Sequence, residues 1–133
     1  MHRFSLLVVA LAVCLVGSVA LAANDRVTAT FETLAASGIT GTADLNPNPQ
    51  GGVQIHGTLR GLEPGVQYMS VIYQQGSTCG AGVPTTEAAR FVANPAGNAN
   101  FNTKVPLQLT QIGSISVQRV SDSSLLACAA VTP

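Results

Sequence analysis

From Val27 onward, apolar and polar residues alternate. Val27, Ala29 and Phe31 fall on one side of an extended chain, Thr28, Thr30 and Glu32 on the other, which is the period-two pattern of a half-buried strand. Ile39, Gly41, Ala43 and Leu45 repeat it opposite Thr40, Thr42 and Asp44. Val53, Ile55, Gly57 and Leu59 repeat it again, with Gln54, His56, Thr58 and Arg60 on the wet side. Between these last two runs lies Asn46-Pro47-Asn48-Pro49-Gln50-Gly51-Gly52. Its prolines and glycines break any ladder, so the two runs predict a hairpin.

Gly61-Leu62-Glu63-Pro64-Gly65 breaks the chain again, and Val66 to Gln74, rich in Val, Ile and Tyr, predicts a more fully buried strand. Gln75 to Ala88 reads as irregular and holds Cys79. Ala89 to Val92 and Ala99 to Val105 flank Asn94-Pro95-Ala96-Gly97-Asn98, a second predicted hairpin with turn residues in place. Ile115 to Val120 and Leu125 to Val131 are the last two strands, joined by Ser121-Asp122-Ser123-Ser124. Seven to eight short strands without a helical period predict an all-β sandwich or closed barrel.

The segment ahead of the strands has another character. Arg3 supplies a positive start, Phe4 to Val19 is an apolar run, and Ala20-Leu21-Ala22 offers the small-x-small pattern of a cleavage site. Residues 1–22 therefore read as a secretory signal peptide, leaving residues 23–133 as one domain that is secreted or periplasmic. The alternative is a retained anchor, since the run approaches the ~20 residues that span a bilayer. With cleavage, no membrane span is expected. Removing 22 of the 133 residues leaves 111, with five basic and six acidic side chains, one histidine (His56) and two cysteines (Cys79 and Cys128).

Charge narrows the chemistry. Only 9% of residues are charged, against about a quarter in ordinary domains, so no basic face exists to neutralise phosphates and nucleic acid is excluded as a partner. Two cysteines in one small exported domain read as a disulfide; the alternative, a pair of metal ligands, lacks CxxC spacing and further thiols or imidazoles. Nucleophile-elbow, zincin, phosphate-loop and dinucleotide motifs are absent from the sequence.

Particular residues carry a family resemblance. Gly41-Thr42-Ala43-Asp44, followed by Gly51 to Leu62, resembles the first hairpin of copper-zinc superoxide dismutases and the Gly-Leu step into their metal-bearing strand. Glu63-Pro64-Gly65-Val66 matches the following step, Cys79 sits where the family places its loop cysteine, and Ser124 to Val131 resembles its cysteine-bearing C-terminal strand. The resemblance runs from about Ser37 to Val131. It implies a Greek-key barrel or sandwich with Cys79 bonded to Cys128.

The family's functional residues do not carry over. Ser70 and Ile72 stand where its His-x-His copper pair is expected, and Gln118 or a neighbour where a third copper histidine is expected. Gly80 to Ala89 holds no His or Asp for zinc, and the anion-guiding loop is reduced to Ser121-Asp122-Ser123-Ser124, with Leu125 replacing its arginine. Copper cycling needs imidazole donors and zinc needs a near-tetrahedral N, S or carboxylate set. Met69 reads as core filler, and His56 as a solvent-facing residue.

The expectation is thus a non-catalytic dismutase-like module, without cofactor, that binds an unidentified protein or small-molecule ligand or serves structurally. Copper or zinc enters only under the alternative of a divergent dismutase or metal-binding protein. A second alternative is a binding module of fibronectin type III or chordin type. Leu62-Glu63-Pro64-Gly65-Val66-Gln67-Tyr68 resembles the tyrosine corner of the former, in which the hydroxyl bonds back to the loop. The expected binding surface is Tyr68, Ser70, Tyr73, Gln118 and Arg119, flanked by residues 74–86.

Overall fold

The computed structural model describes residues 26–81 and 84–132; the predicted signal peptide lies outside them. Eight strands follow in order: β1 (Val27–Thr33), β2 (Thr40–Pro47), β3 (Val53–Arg60), β4 (Gln67–Tyr73), β5 (Pro84–Val92), β6 (Ala99–Val105), β7 (Ser114–Arg119) and β8 (Leu125–Ala130). One turn of 3-10 helix, Leu109–Gln111, interrupts the β6–β7 connection. No α-helix occurs among the described residues, so none there is long and apolar enough to cross a membrane. The all-β expectation stands.

All strands join one antiparallel sheet in the order β5-β4-β7-β8-β1-β2-β3-β6. The β2–β3 hairpin pairs as predicted, from Thr40 opposite Arg60 to Pro47 opposite Val53. The second predicted hairpin does not form a ladder. Its turn is closed, with Asn94 donating to the Asn98 carbonyl (2.9 Å) and Gly97 to the Asn94 carbonyl (2.9 Å). Beyond the turn the strands part: β5 pairs with β4 and β6 with β3. The two ends of the sheet therefore meet at this turn, and the sheet curls into a nearly closed barrel.

Side chains fill the parting. Tyr68, Phe91 and Phe101, from β4, β5 and β6, stack with centroid separations of 6.1 Å and 5.3 Å. Apolar burial across the seam thus replaces the missing ladder hydrogen bonds. Gly57 on β3 leaves room for the last ring, since a Cβ there would lie 2.2 Å from Phe101 Cε1.

β5 begins at Pro84, earlier than its pattern predicts. Its pairing with β4 shifts register between Ser70 and Val71 and again between Ile72 and Tyr73. A bulge inserts a residue and reverses the alternation, so Thr86-Glu87-Ala88-Ala89 never shows a clean period of two.

The interior is one apolar cluster that includes Phe31, Leu45, Ile55, Leu59, Tyr68, Ile72, Ile115 and Val117. Ser70 is the polar exception. Its side chain is fully buried and its hydroxyl has no hydrogen-bond partner among the described residues, which costs about 1–3 kcal/mol of desolvation. Ser70→Ala is accordingly expected to raise stability by about 1 kcal/mol, read as a higher denaturant midpoint at unchanged slope. A lower midpoint would mean that the hydroxyl is satisfied in solution.

Candidate functional site

Pairing places the outward-facing residues of β4, β7 and β8 in rows. Met69 lies opposite Gln118, Val71 opposite Ser116, and Tyr73 opposite Ser114. Ser116 in turn lies opposite Cys128, which lies opposite Glu32. The Cys79–Cys128 disulfide (S–S 2.07 Å) ties the β4–β5 connection down over this face. The pairing implied by the resemblance is therefore the one present.

Beneath the loop the polar groups bond to one another. Gln118 Nε2 donates to Tyr73 Oη and to Ser116 Oγ, both at 3.0 Å. Ser116 Oγ also lies 3.3 Å from the Val71 N–H and 3.3 Å from its carbonyl. Tyr73 packs with the disulfide in a small second core, against Leu34, Val71 and Leu125. Ser114 Oγ is buried here without a partner among the described residues. A groove of about 360 Å³ runs between this loop and β1, with Ser77, Thr78, Thr28, Thr30, Glu32 and Thr132 among its walls.

The five predicted surface residues do not form one exposed patch. Tyr73 and Gln118 come together but are buried under the loop. Tyr68 and Ser70 point into the barrel and are 1% and 0% exposed. Arg119 lies opposite Tyr68 at the barrel's end, half-buried, with Asp122 at 3.2 Å and Glu63 at 3.7 Å. The physical reason is parity. Neighbouring residues of a strand face opposite ways, so Gln118 and Arg119 cannot share a face, nor can Ser70 and Tyr73.

The same parity separates Gln118 from Ser70 and Ile72, while its neighbour Val117 lies opposite Ser70. A His-x-His pair on β4 and a third ligand on β7 must share a face to meet one ion. Ser70 and Ile72 face the interior, whereas Gln118 shares its face with Met69, Val71 and Tyr73.

The residues present do not fit copper or zinc. The Gln118 amide is a donor occupied by two hydroxyls, and both cysteine sulfurs are spent in the disulfide. His56 is exposed on β3, between Asp44 and Asn102 on the neighbouring strands, far along the sheet from β4. No group of three or more His, Cys, Asp or Glu that could hold a metal occurs among the described residues.

Ser114 and Ser116 escaped the sequence reading. Their signal was the alternation Ser114-x-Ser116-x-Gln118, which resembles an ordinary wet strand face. Only the disulfide-tied loop turns it into a covered one. At the far end, the tyrosine corner is present: Tyr68 Oη accepts the Glu63 N–H at 2.9 Å. Nearby, hydrogen bonding from the Ser124 side chain, then from its N–H, with Arg119 adding, lowers the Asp122 carboxyl below its ordinary value.

The barrel, its strand order and its single disulfide define a superoxide dismutase-like fold. Among solved structures, a mutant of superoxide dismutase 5 from Candida albicans is similar, with a TM-score of 0.55 and 19% identity over 80% of this chain and 90% of that one. No family model matches the chain, and neither does any curated protein. The shared feature is the fold.

Proposed function

We propose that this chain is an exported, non-catalytic module of the cell envelope or extracellular space, which uses a dismutase-like barrel to bind a partner or to serve structurally. One observation carries the reading. The polar face of β4 and β7 beneath the disulfide loop is a hydroxyl–amide network, Tyr73–Gln118–Ser116, with hydrogen bonds and, on that face, no imidazole or thiolate free to bind metal among the described residues. An amide nitrogen and alcohol oxygens are poor donors to a redox-cycling copper ion. Two features support export: the signal-like residues 1–22 and the disulfide, which persists in oxidising compartments. The groove beside the disulfide loop is the surface offered to a partner in this reading.

The test is superoxide decay. Protein exposed to copper and zinc, then dialysed, is expected to leave the decay at the rate of buffer alone. Decay that stays faster than an equal amount of free copper would overturn the reading.

A further inference from the structure

Three connections meet at the end of the barrel where Tyr68 and Arg119 lie: β1–β2, β3–β4 and β7–β8. They line an open-sided cavity of about 390 Å³. Its apolar walls are Ala35, Ala36, Ile39 and Leu126, and its polar walls include Arg119, Tyr68 and Glu63. The backbone around it is unusual. All three non-glycine residues with positive φ among the described residues, Ala35 (52°), Ala36 (52°) and Ser123 (56°), border this cavity or adjoin a residue that does. Ala35 and Ala36 occupy the centre of a turn closed from Ser37 N–H to the Leu34 carbonyl at 3.0 Å, where Asn-Gly is the ordinary choice. Alanines there present a flat apolar wall at the cost of backbone strain, which persists where the surroundings enforce it.

The polar groups at this end are incompletely used. Arg119 makes one side-chain hydrogen bond among the described residues, Nη1 to Asp122 Oδ2 at 3.2 Å. Its Nη2 is 3.7 Å from Glu63 Oε1, too long for a hydrogen bond, and the Glu63 side chain is 69% exposed. The Nε–Nη2 edge of the guanidinium thus has no acceptor there. The Tyr68 hydroxyl, on a side chain 1% exposed, accepts from Glu63 N–H, and its own proton has no acceptor among the described residues.

We propose that this cavity binds a small carboxylate, with the Nε–Nη2 edge of Arg119 and the Tyr68 hydroxyl as donors and the alanine turn as the seat of a short apolar tail. A planar carboxylate matches a guanidinium edge with two parallel hydrogen bonds. A dianion such as phosphate is disfavoured, because Asp122 and Glu63 already flank the cation. Glu63 competes with the ligand for Nη2 and turns to water when the ligand enters. The inference rests on the binding role proposed above. Dismutase activity would overturn that role whatever the outcome here, and the titration below fails or succeeds regardless of metal content.

The test is a titration of the purified protein with sodium butyrate, following by NMR the backbone amides of Ala35, Ala36 and Ile39 in every variant and the Arg119 Nε–H wherever Arg119 is kept. Saturable shifts are expected with butyrate and none with neutral butyramide. Arg119→Gln is expected to weaken butyrate binding about tenfold or more, and Glu63→Gln to strengthen it about threefold, a gain that misfolding cannot produce. Trialanine with a free and with an amidated C-terminus separates a chain-terminal carboxylate from a free acid as the natural source. Binding of butyramide or phosphate as tight as that of butyrate, unchanged affinity in Arg119→Gln, or no tightening in Glu63→Gln would each overturn the proposal.

Discussion

Reduction of the Cys79–Cys128 bond, or its replacement in the Cys79→Ser/Cys128→Ser variant, is expected to lower the melting temperature by roughly 15–20 °C. The bond joins residues 49 apart in sequence. Closing a loop of that length removes about 4 kcal/mol of unfolded-chain entropy in the loop-closure model. A domain of this size loses on the order of 4–5 °C per kcal/mol. The native state suffers as well. Tyr73, Leu34, Val71 and Leu125 form a satellite core around the disulfide. Among the described residues, the segment above it is held by Gly113 N–H to the Tyr73 carbonyl at 2.8 Å, at its start, and by Cys79 N–H to Cys128 Sγ at 2.9 Å, at the disulfide itself. Thermal unfolding by circular dichroism, with and without a dithiol reductant, reads the effect. A shift below about 5 °C would mean that the loop holds its place without the bond.

Gly41→Ala is expected to cost about 3–5 kcal/mol, from overpacking and backbone strain together. Gly41 sits on β2 between Phe31 of β1 and Leu59 of β3. A Cβ there would lie 2.0 Å from the Thr58 carbonyl oxygen, with φ at 155°. The obstacle is backbone within a ladder, which cannot swing aside as a side chain can. Gly51 separates the two contributions. Its φ is 103° but a Cβ there meets nothing within 4 Å, so Gly51→Ala is expected to cost only the strain, about 1–2 kcal/mol. Against a total stability of about 5–15 kcal/mol, the first substitution threatens folding and the second does not. Urea unfolding of both variants distinguishes them; equal costs would contradict the packing account.

Much of this barrel was legible in the residue pattern. The alternations at Val27–Glu32, Ile39–Leu45 and Val53–Arg60 each became a strand, and the Pro- and Gly-rich break at 46–52 became the β2–β3 turn. The partnership of β5 and β6 was not legible, because a good local turn at Asn94–Asn98 says nothing about which strand offers better company further out. The aromatic stack of Tyr68, Phe91 and Phe101 decides it. The start of β5 was hidden by two register shifts against β4.

The candidate site was half legible. Scarcity of histidine was visible at once and holds its meaning in three dimensions, since His56 lies on a different part of the sheet from Gln118. The grouping of Tyr68, Ser70, Tyr73, Gln118 and Arg119 into one surface failed on a matter of one residue, because a shift by one moves a strand's side chains to the opposite face. Parity within β4 and β7 separates the set without any coordinates. The pairing of Tyr73 with Gln118, and of Tyr68 with Arg119, needs the β4–β7 register.

The central claim is that a dismutase-like barrel here works without copper or zinc. Elemental analysis of protein exported into medium supplemented with both metals tests it most directly. The network of Tyr73, Gln118 and Ser116 predicts far less than one equivalent of either metal per chain, and a melting temperature indifferent to chelators. A full equivalent of copper retained through dialysis would contradict it.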